Sequence, residues 1–424
     1  MNLEPRTLAE RARDASRIVA MASGEQKNAA LEAMADRLRS GRAEIAAANE
    51  ADMARAREHG LPDKLVARLR FGDAKIESRL RSLAEIAKLP DPVGKTLDSW
   101  TCSNGLAAAR VRVPLGVILM VYEARPHVTV NAGAICLKAG NACILRGGSE
   151  ARQCNLLLGE LWRSALHEAH LPCEVVQVTA GSHEDVNALL EATDCINLVI
   201  PRGGKELIAS VTERSKIPVV KHFEGVCHVY IDEYADLDKA LQITLDSKCL
   251  MPEVCNAAET VLVHQALTDR LPDIVGALQA NGVQVKGCRV TQRCAPKVEP
   301  VTEEDWRTEY LDMVVSIRVV NDVGEAIEHI ETFGSHHTDA IVTENERVAG
   351  RFEREVDSSV VLVNASTMFC DGYTLGMGAE IGISTDKIHA RGPMGLRDLT
   401  SYKYVLRGTG DIMGEPRVVA GGPR

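Results

Sequence analysis

Up to about residue 90, apolar side chains recur at helical spacing. Leu31, Met34 and Leu38 stand in a stretch dominated by Ala, Arg and Glu, so the period predicts amphipathic helices with a solvated charged face. Pro90, Asp91 and Pro92 break that pattern. The run TLDSWTCSNGLAAARVRVP follows, with Asn104-Gly105 between two short strand-like segments, a hairpin signal. From residue 113 the period changes. Strands are predicted at 116–122, 142–145, 174–178, 196–200 and 217–220, and helices at 127–139, 149–169, 184–191 and 204–214. A second alternating set places strands at 228–231, 260–263, 283–285, 313–320, 339–342 and 359–363, with helices at 237–249, 265–280, 323–332 and 345–355. Asp236 stands as the N-cap of the helix it precedes. Apolar runs without alternation, separated by helices, indicate parallel sheets covered on both faces. The expectation is two α/β domains plus a small hairpin element, with one more strand at 402–406.

Composition narrows the class. A length of 424 residues suits two to three domains. The net charge of −10 argues against a general electrostatic hold on nucleic acid or an anionic membrane. The charged opening MNLEPRTLAERARD does not read as a secretory signal. The most apolar stretch, 113–122, is too short to span a bilayer. The 12 cysteines include no C-x-x-C pair, and most sit in apolar runs such as AGAICLKAGNACIL. In a reducing compartment these read as small core hydrophobes. A cytoplasmic protein is expected.

Five segments could carry chemistry. R-G-G-S-E-A at 146–151 follows a strand and opens a helix. Gly147 and Gly148 let backbone approach a ligand, Ser149 can cap, and Arg146 offers a forked donor; the same letters also fit a plain strand–helix turn. P-R-G-G-K at 201–205, with Gly203, has the same two readings, and it is not a P-loop. Cys255 lies on a loop marked by Pro252 and Asn256, where a thiol can reach a ligand and backbone N–H groups can hold an oxyanion. S-H-H-T-D at 335–339 pairs two histidines, but adjacent side chains rarely converge on one ion, and no metal is expected. The glycine-rich stretch 364–403, with Arg391 and Arg397, is long for an ordered loop, and either a functional loop or a domain-covering one fits it.

Four blocks then converge on a family. LGVILMVYEARPHVTVNAGAICLKAGNACILRGGSEA, EVCNAAETVLVH, GSHHTDAIVTEN and GAEIGISTDKIHARGPMGL with LTSYKY occur in that order with compatible spacing. Together they resemble the γ-glutamyl phosphate reductases (glutamate-5-semialdehyde dehydrogenases) of the aldehyde dehydrogenase superfamily, over essentially the whole chain. The resemblance implies an aldehyde dehydrogenase-like α/β fold. Residues 1–95 and 113–222 would bind the cofactor, 223–395 would form the catalytic domain, and 96–112 with 396–410 would form an oligomerisation arm. It implies reduction of L-glutamate 5-phosphate by NADPH to L-glutamate 5-semialdehyde and phosphate, the second step of proline biosynthesis from glutamate. Cys255 would attack the acyl phosphate and hold the acyl group as a thioester. The resemblance also implies a glutamate kinase as a partner for channelling the substrate, with no fused kinase portion expected. A homodimer or homotetramer is implied.

Departures from generic aldehyde dehydrogenases sharpen the expectation. Their E-L-G-G-K motif aligns with K-H-F-E-G-V-C, placing His222 where a water-activating Glu would stand. A phosphate-releasing enzyme needs no hydrolysis, so no dedicated general base is expected. Their K-x-x-E motif aligns with Arg146 and Ser149. Loss of the carboxylate, with Arg146 present, favours the 2′-phosphate of NADPH. By the same resemblance Glu309 would hold the nicotinamide ribose, Arg125 and Arg391 the substrate anions, and Asn364, Ser366 and Thr367 would line the acyl channel, with Arg397 a weaker candidate. Competing readings are an oxidising semialdehyde dehydrogenase, against which the missing Glu argues; a non-catalytic nucleotide-binding protein, against which Cys255 argues; and a cysteine hydrolase, for which no His/Asn pairing is evident.

Overall fold

A computed structural model describes residues 3–221, 224–295 and 297–414. The amino-terminal region is helical as its period predicts: α1 (Pro5–Val19), α2 (Gly24–Ser40), α3 (Arg42–Glu58), α4 (Asp63–Leu69) and α5 (Asp73–Lys88). Ser23 and Gln26 cap α2 reciprocally, each side chain taking the other's backbone N–H. The hairpin β1 (Thr96–Thr101) and β2 (Ala107–Pro114) follows, turning through Asn104-Gly105 with Gly105 at a φ of 89°.

Next come β3 (Val117–Tyr122), α6 (His127–Lys138), β4 (Ala142–Gly147), α7 (Arg152–Glu168), β5 (Val176–Thr179), α8 (His183–Leu190), β6 (Leu198–Arg202) and α9 (Lys205–Arg214). Their strands form a parallel sheet in the order β5-β4-β3-β6. All six residues of β3 are buried. Ile118, Met120 and Tyr122 pack with the Leu31, Met34 and Leu38 stripe of α2 and with Trp162 of α7. Val117, Leu119 and Val121 pack with α1 and α8 on the other face. Burial on both faces is why the strand reads as an unbroken apolar run. The predicted strand at 217–220 is reduced to one bridge, Val199 with Val219. Pro218 lies inside it and has no N–H to give the sheet.

The second sheet is wholly parallel. It uses β7 (Cys227–Ile231), α10 (Leu237–Cys249), β8 (Ala258–His264), α11 (Leu271–Ala280), β9 (Gln284–Gly287), α12 (Arg289–Cys294), β10 (Glu299–Pro300), β11 (Val314–Val320), α13 (Val323–Phe333), β12 (Thr338–Val342), α14 (Glu346–Glu355) and β13 (Val360–Val363). The order is β10-β9-β11-β8-β7-β12-β13. Asp236 caps α10 as expected, accepting from the Lys239 N–H at 3.1 Å. The helix predicted over 265–280 splits, because Leu267 leaves helical geometry and Pro272 starts α11 afresh. The glycine-rich stretch is mostly loop, with the short antiparallel pair β14 (Gly382–Ser384) and β15 (Gly392–Met394). The last strand, β16 (Thr400–Arg407), pairs along β2 and completes a three-stranded antiparallel arm. Among the described residues no helix is long and apolar enough to cross a membrane.

One topological feature positions the site. From β3 the chain winds outward through β4 to β5, then returns to lay β6 on the other side of β3. The loops leaving the carboxyl ends of β3 and β6 diverge there, and ligands of open α/β sheets bind at such a switch point. Tyr122 and Arg202 pair in register at that edge.

Candidate active site

Cys255 sits half-buried on the loop between α10 and β8. Turn bonds from Val254 N–H to Met251 O and from Ala257 N–H to Val254 O shape that loop. Asn256 anchors it by donating from Nδ2 to Thr367 O at 3.0 Å, and the Cys227 thiol donates to Cys255 O at 3.2 Å. Gly225 lies against the same carbonyl: a Cβ there would come within 1.8 Å of Cys255 O, so backbone approaches backbone as only glycine permits. Below the loop, Lys248 Nζ meets Glu259 Oε2 at 2.6 Å with both side chains buried.

The loop faces a cleft of about 330 Å³ at the switch point, whose walls include Arg68, Arg125, Arg202, Gly203 and Glu309. The walls are fixed by carboxylates. Glu123, just after β3, accepts from the Gly204 N–H at 2.9 Å, and Glu150 accepts from the Ala124 N–H at 2.5 Å. Ala124 takes a φ of 40°, a conformation that needs support from its surroundings. At Gly203 a Cβ would lie 2.4 Å from Glu123 Oε2. The Arg125 guanidinium is held down to about 10 by burial and then by the neighbouring Arg202 and Arg68 cations. These three guanidiniums offer forked donors to an anion in a cleft that Glu123, Glu224, Glu253 and Glu309 also line. Glu309 accepts from the Gly225 N–H at 2.9 Å, and burial pushes its carboxyl up. It also borders a second cleft of about 570 Å³ shared with Lys205, Glu224 and Ser335.

The structure thus brings Cys255, Arg125, Gly203 and Glu309 to one cleft. Arg146, Gly147, Gly148 and Ser149 sit at the end of the neighbouring strand β4, joined to the cleft wall through Glu150. Arg146 is buried and donates to Gly181 O at 3.3 Å, while its Nε finds no partner among the described residues. Ser149 is not the cap expected of it. A short 3-10 turn intervenes, α7 begins at Arg152, and Asp52 of α3 takes the first helical N–H groups, from Gln153 at 3.1 Å and Cys154 at 2.9 Å. That helix end is therefore filled by a protein carboxylate.

Three expected substrate residues are spent elsewhere and do not line the cleft. Asn364, at a φ of 53°, bridges the Thr343 N–H and carbonyl at 2.9 and 2.8 Å. Ser366 is buried against Ser247 at 3.1 Å. Arg391 clasps Asp357, through the carboxylate at 2.6 Å and the carbonyl at 2.7 Å. His336 and His337 turn to different partners, Asp357 O and Thr338 Oγ1. His222 lies outside the described residues. Sequence reasoning missed Asp52, Glu123, Glu150 and Gly225. Only Glu123, two residues from Arg125 in Y-E-A-R-P, carried a local signal.

Residues 5–286 match the sequence profile of the aldehyde dehydrogenase family, and the chain belongs to that family. Its relatives there are specific. It is 48% identical over 409 residues to the γ-glutamyl phosphate reductase of Carboxydothermus hydrogenoformans, across 96% of this chain and 99% of the relative. Among solved structures it resembles the γ-glutamyl phosphate reductase of Thermotoga maritima, with a TM-score of 0.95 and 42% identity over 97% of this chain and 100% of that one. The enzyme of the same name from Saccharomyces cerevisiae gives a TM-score of 0.55 and 32% identity over 98% of this chain and 100% of that one.

Proposed function

We propose that this protein reduces L-glutamate 5-phosphate to L-glutamate 5-semialdehyde with release of phosphate, using NADPH, as the second step of proline biosynthesis from glutamate. One observation carries the reading: a loop cysteine, Cys255, shares a cleft with Arg125, Arg202 and Arg68. A nucleophile beside clustered guanidiniums suits an electrophile whose leaving group is phosphate. The Cys255 sulfur attacks the acyl carbon, a C–S bond forms, the C–O bond to phosphate breaks, the thiol's proton leaves with the phosphate as hydrogen phosphate, and the acyl group stays on the sulfur. Arg125 and Arg202 hold the departing dianion. The Cys255 backbone N–H donates to the oxyanion at each tetrahedral stage. Once hydride has been added to the thioester carbon, return of the carbonyl expels the sulfur, which takes back a proton, and frees the aldehyde.

The family works with a nicotinamide cofactor, which when bound supplies the hydride for this reduction. The residues fit such a group. Gly203 and Gly204 open α9 in the Cys255 cleft, where a side chain at Gly203 would collide with Glu123; Glu309 presents a carboxylate in the same cleft; Arg146 keeps an unpartnered, buried Nε. In this reading Gly203 with Lys205 receives the diphosphate, Glu309 the nicotinamide ribose, and Arg146 with Ser149 the adenosine 2′-phosphate. Residues 1–95 and 113–222 form the cofactor domain, and 223–395 the catalytic domain.

The test runs the reaction backwards. NADP⁺ reduction with the semialdehyde is expected only when inorganic phosphate is present, and NADP⁺ is expected to exceed NAD⁺ in kcat/KM by about 10- to 100-fold, the worth of one or two charge-assisted hydrogen bonds. Phosphate-independent turnover would instead mark a hydrolytic dehydrogenase.

We also propose a homodimer or homotetramer built through the arm. Leu97, Trp100, Tyr402, Tyr404 and Leu406 are exposed there, and β1 and β16 are its edge strands, a combination that invites pairing with another chain. The double change Trp100→Glu and Tyr404→Glu is expected to shift sedimentation velocity to the monomer; an unchanged profile rejects the arm as the interface.

A further inference from the structure

Beside the Cys255 cleft lies another cavity, of about 190 Å³, and Arg202 lines both. Its walls come from α5, α6, the end of β6 and the loop before β14. Three of its lining residues carry buried polar atoms that find no partner among the described residues: Arg79 Nε, His127 Nδ1 and Asn131 Oδ1. Native interiors satisfy nearly all such atoms, so three around one cavity call for an occupant that bonds to them. The same cavity is lined by two carboxylates, Asp371 and Glu380. Glu380 accepts from the Gly372 N–H at 3.1 Å, and burial pushes its carboxyl up. Burial likewise lowers Arg79 and drives His127 down to about 3, helped by Lys75 and Arg79. The imidazole is thus neutral and the cavity's positive charge rests on the guanidiniums. A partly buried site with one guanidinium from α5 and another from the end of β6, facing carboxylates on its loop wall, matches a zwitterion, not a simple anion.

We propose that this cavity seats the α-amino-acid end of the substrate, with Arg79 taking the α-carboxylate and Asp371 with Glu380 taking the α-ammonium. Asn131 and the neutral His127 complete the hydrogen bonds to that head group. Arg202 marks the junction, so the phosphate end points back toward Arg125 and Cys255. The assignment rests on the proposed reaction and goes beyond it by naming what selects a glutamyl group over other acyl phosphates. It also moves substrate recognition from Asn364, Ser366 and Arg391 to residues without a strong sequence signal.

The experiment compares three aldehydes in the phosphate-dependent reverse assay: L-glutamate 5-semialdehyde, 5-oxopentanoate, which lacks the amine, and butanal, which lacks both α-groups. Arg79→Met is expected to raise KM for the first two by about 100-fold, leaving kcat nearly unchanged and butanal unaffected, with Arg79→Lys restoring part of the loss. Glu380→Gln, nearly isosteric and retaining the fold even if Arg79→Met does not, is expected to raise KM for the semialdehyde alone by about 10-fold. Equal losses on all three aldehydes, or no loss on any, overturn the pocket assignment. A wild-type enzyme inactive with every aldehyde overturns the reaction itself, so the two failures are distinct.

Discussion

Cys255→Ser is expected to lower kcat by on the order of 10³- to 10⁶-fold while leaving the fold intact, since losing the nucleophile of a covalent mechanism removes the step that the rest of the site serves. No neighbouring thiol can take over. Cys227 and Cys370 are buried, and burial, then nearby negative charge, pushes Cys227 far above the ordinary thiol range and Cys370 up to about 12. The decisive measurement omits the reduced cofactor. Wild-type protein mixed with acyl phosphate, generated in place by a glutamate kinase, is expected to release one equivalent of phosphate per chain in a burst. A glutamyl adduct is then expected on the peptide containing Cys255 by mass spectrometry. The Ser variant is expected to show neither burst nor adduct. Full turnover in the variant, or an adduct on another residue, would remove the thioester from the mechanism.

Sequence was most informative where structure is local or where burial acts on both faces of an element. β3 and β7 read correctly because alternate residues enter two different cores, Val229 and Ile231 in one and Tyr230 in the other, leaving no polar face to blur the run. The Asp236 cap, a contact across three residues, was legible for the same reason. What sequence leaves out is non-local. Ser149 has the composition of a cap, yet it stands two residues before the helix's cap position at Ala151, and the N–H groups a cap there would serve are taken by Asp52, about a hundred residues away in sequence. Arg391 has the chemistry of an anion receptor, and so would any arginine until Asp357 appears beside it. The need for a bare Cα at Gly225 emerges only when the segment entering β7 and the nucleophile loop are seen to touch. Cys255 could be singled out because a loop cysteine among core cysteines is already unusual. Arg125, Gly203 and Glu309 of its cleft follow from the family resemblance; the carboxylates that brace the walls, Glu123 and Glu150, do not, because they act between strand ends that meet only in the folded sheet.

Lys248→Met is expected to cost about 3–5 kcal/mol of stability, the usual penalty for stripping the partner from a buried ion pair. The pair lies at the join of three elements. Lys248 is in the last turn of α10, Glu259 is in β8, and Glu259 Oε1 also accepts from the Leu311 N–H at 3.2 Å, two residues beyond Glu309. The Cys255 loop spans the gap between the first two, so the pair supports both the loop and the Glu309 side of the cleft. Burial lifts the Glu259 carboxyl from its ordinary 4.5 to about 7 even with Lys248 beside it, and removal of the ammonium must raise it further. A folded-state value above the unfolded one means the native protein holds the proton more tightly. That contribution is complete below about 4.5 and is lost as pH rises through the folded value. The variant should therefore approach wild-type stability in mild acid and fall furthest behind above neutrality. Urea midpoints across that range would show it. Adding Glu259→Leu to the variant should recover most of the loss, since the uncompensated carboxylate causes the penalty. A deficit independent of pH, or one that the second change leaves in place, would mean that packing around the lysine stem, and not its charge, holds the nucleophile loop.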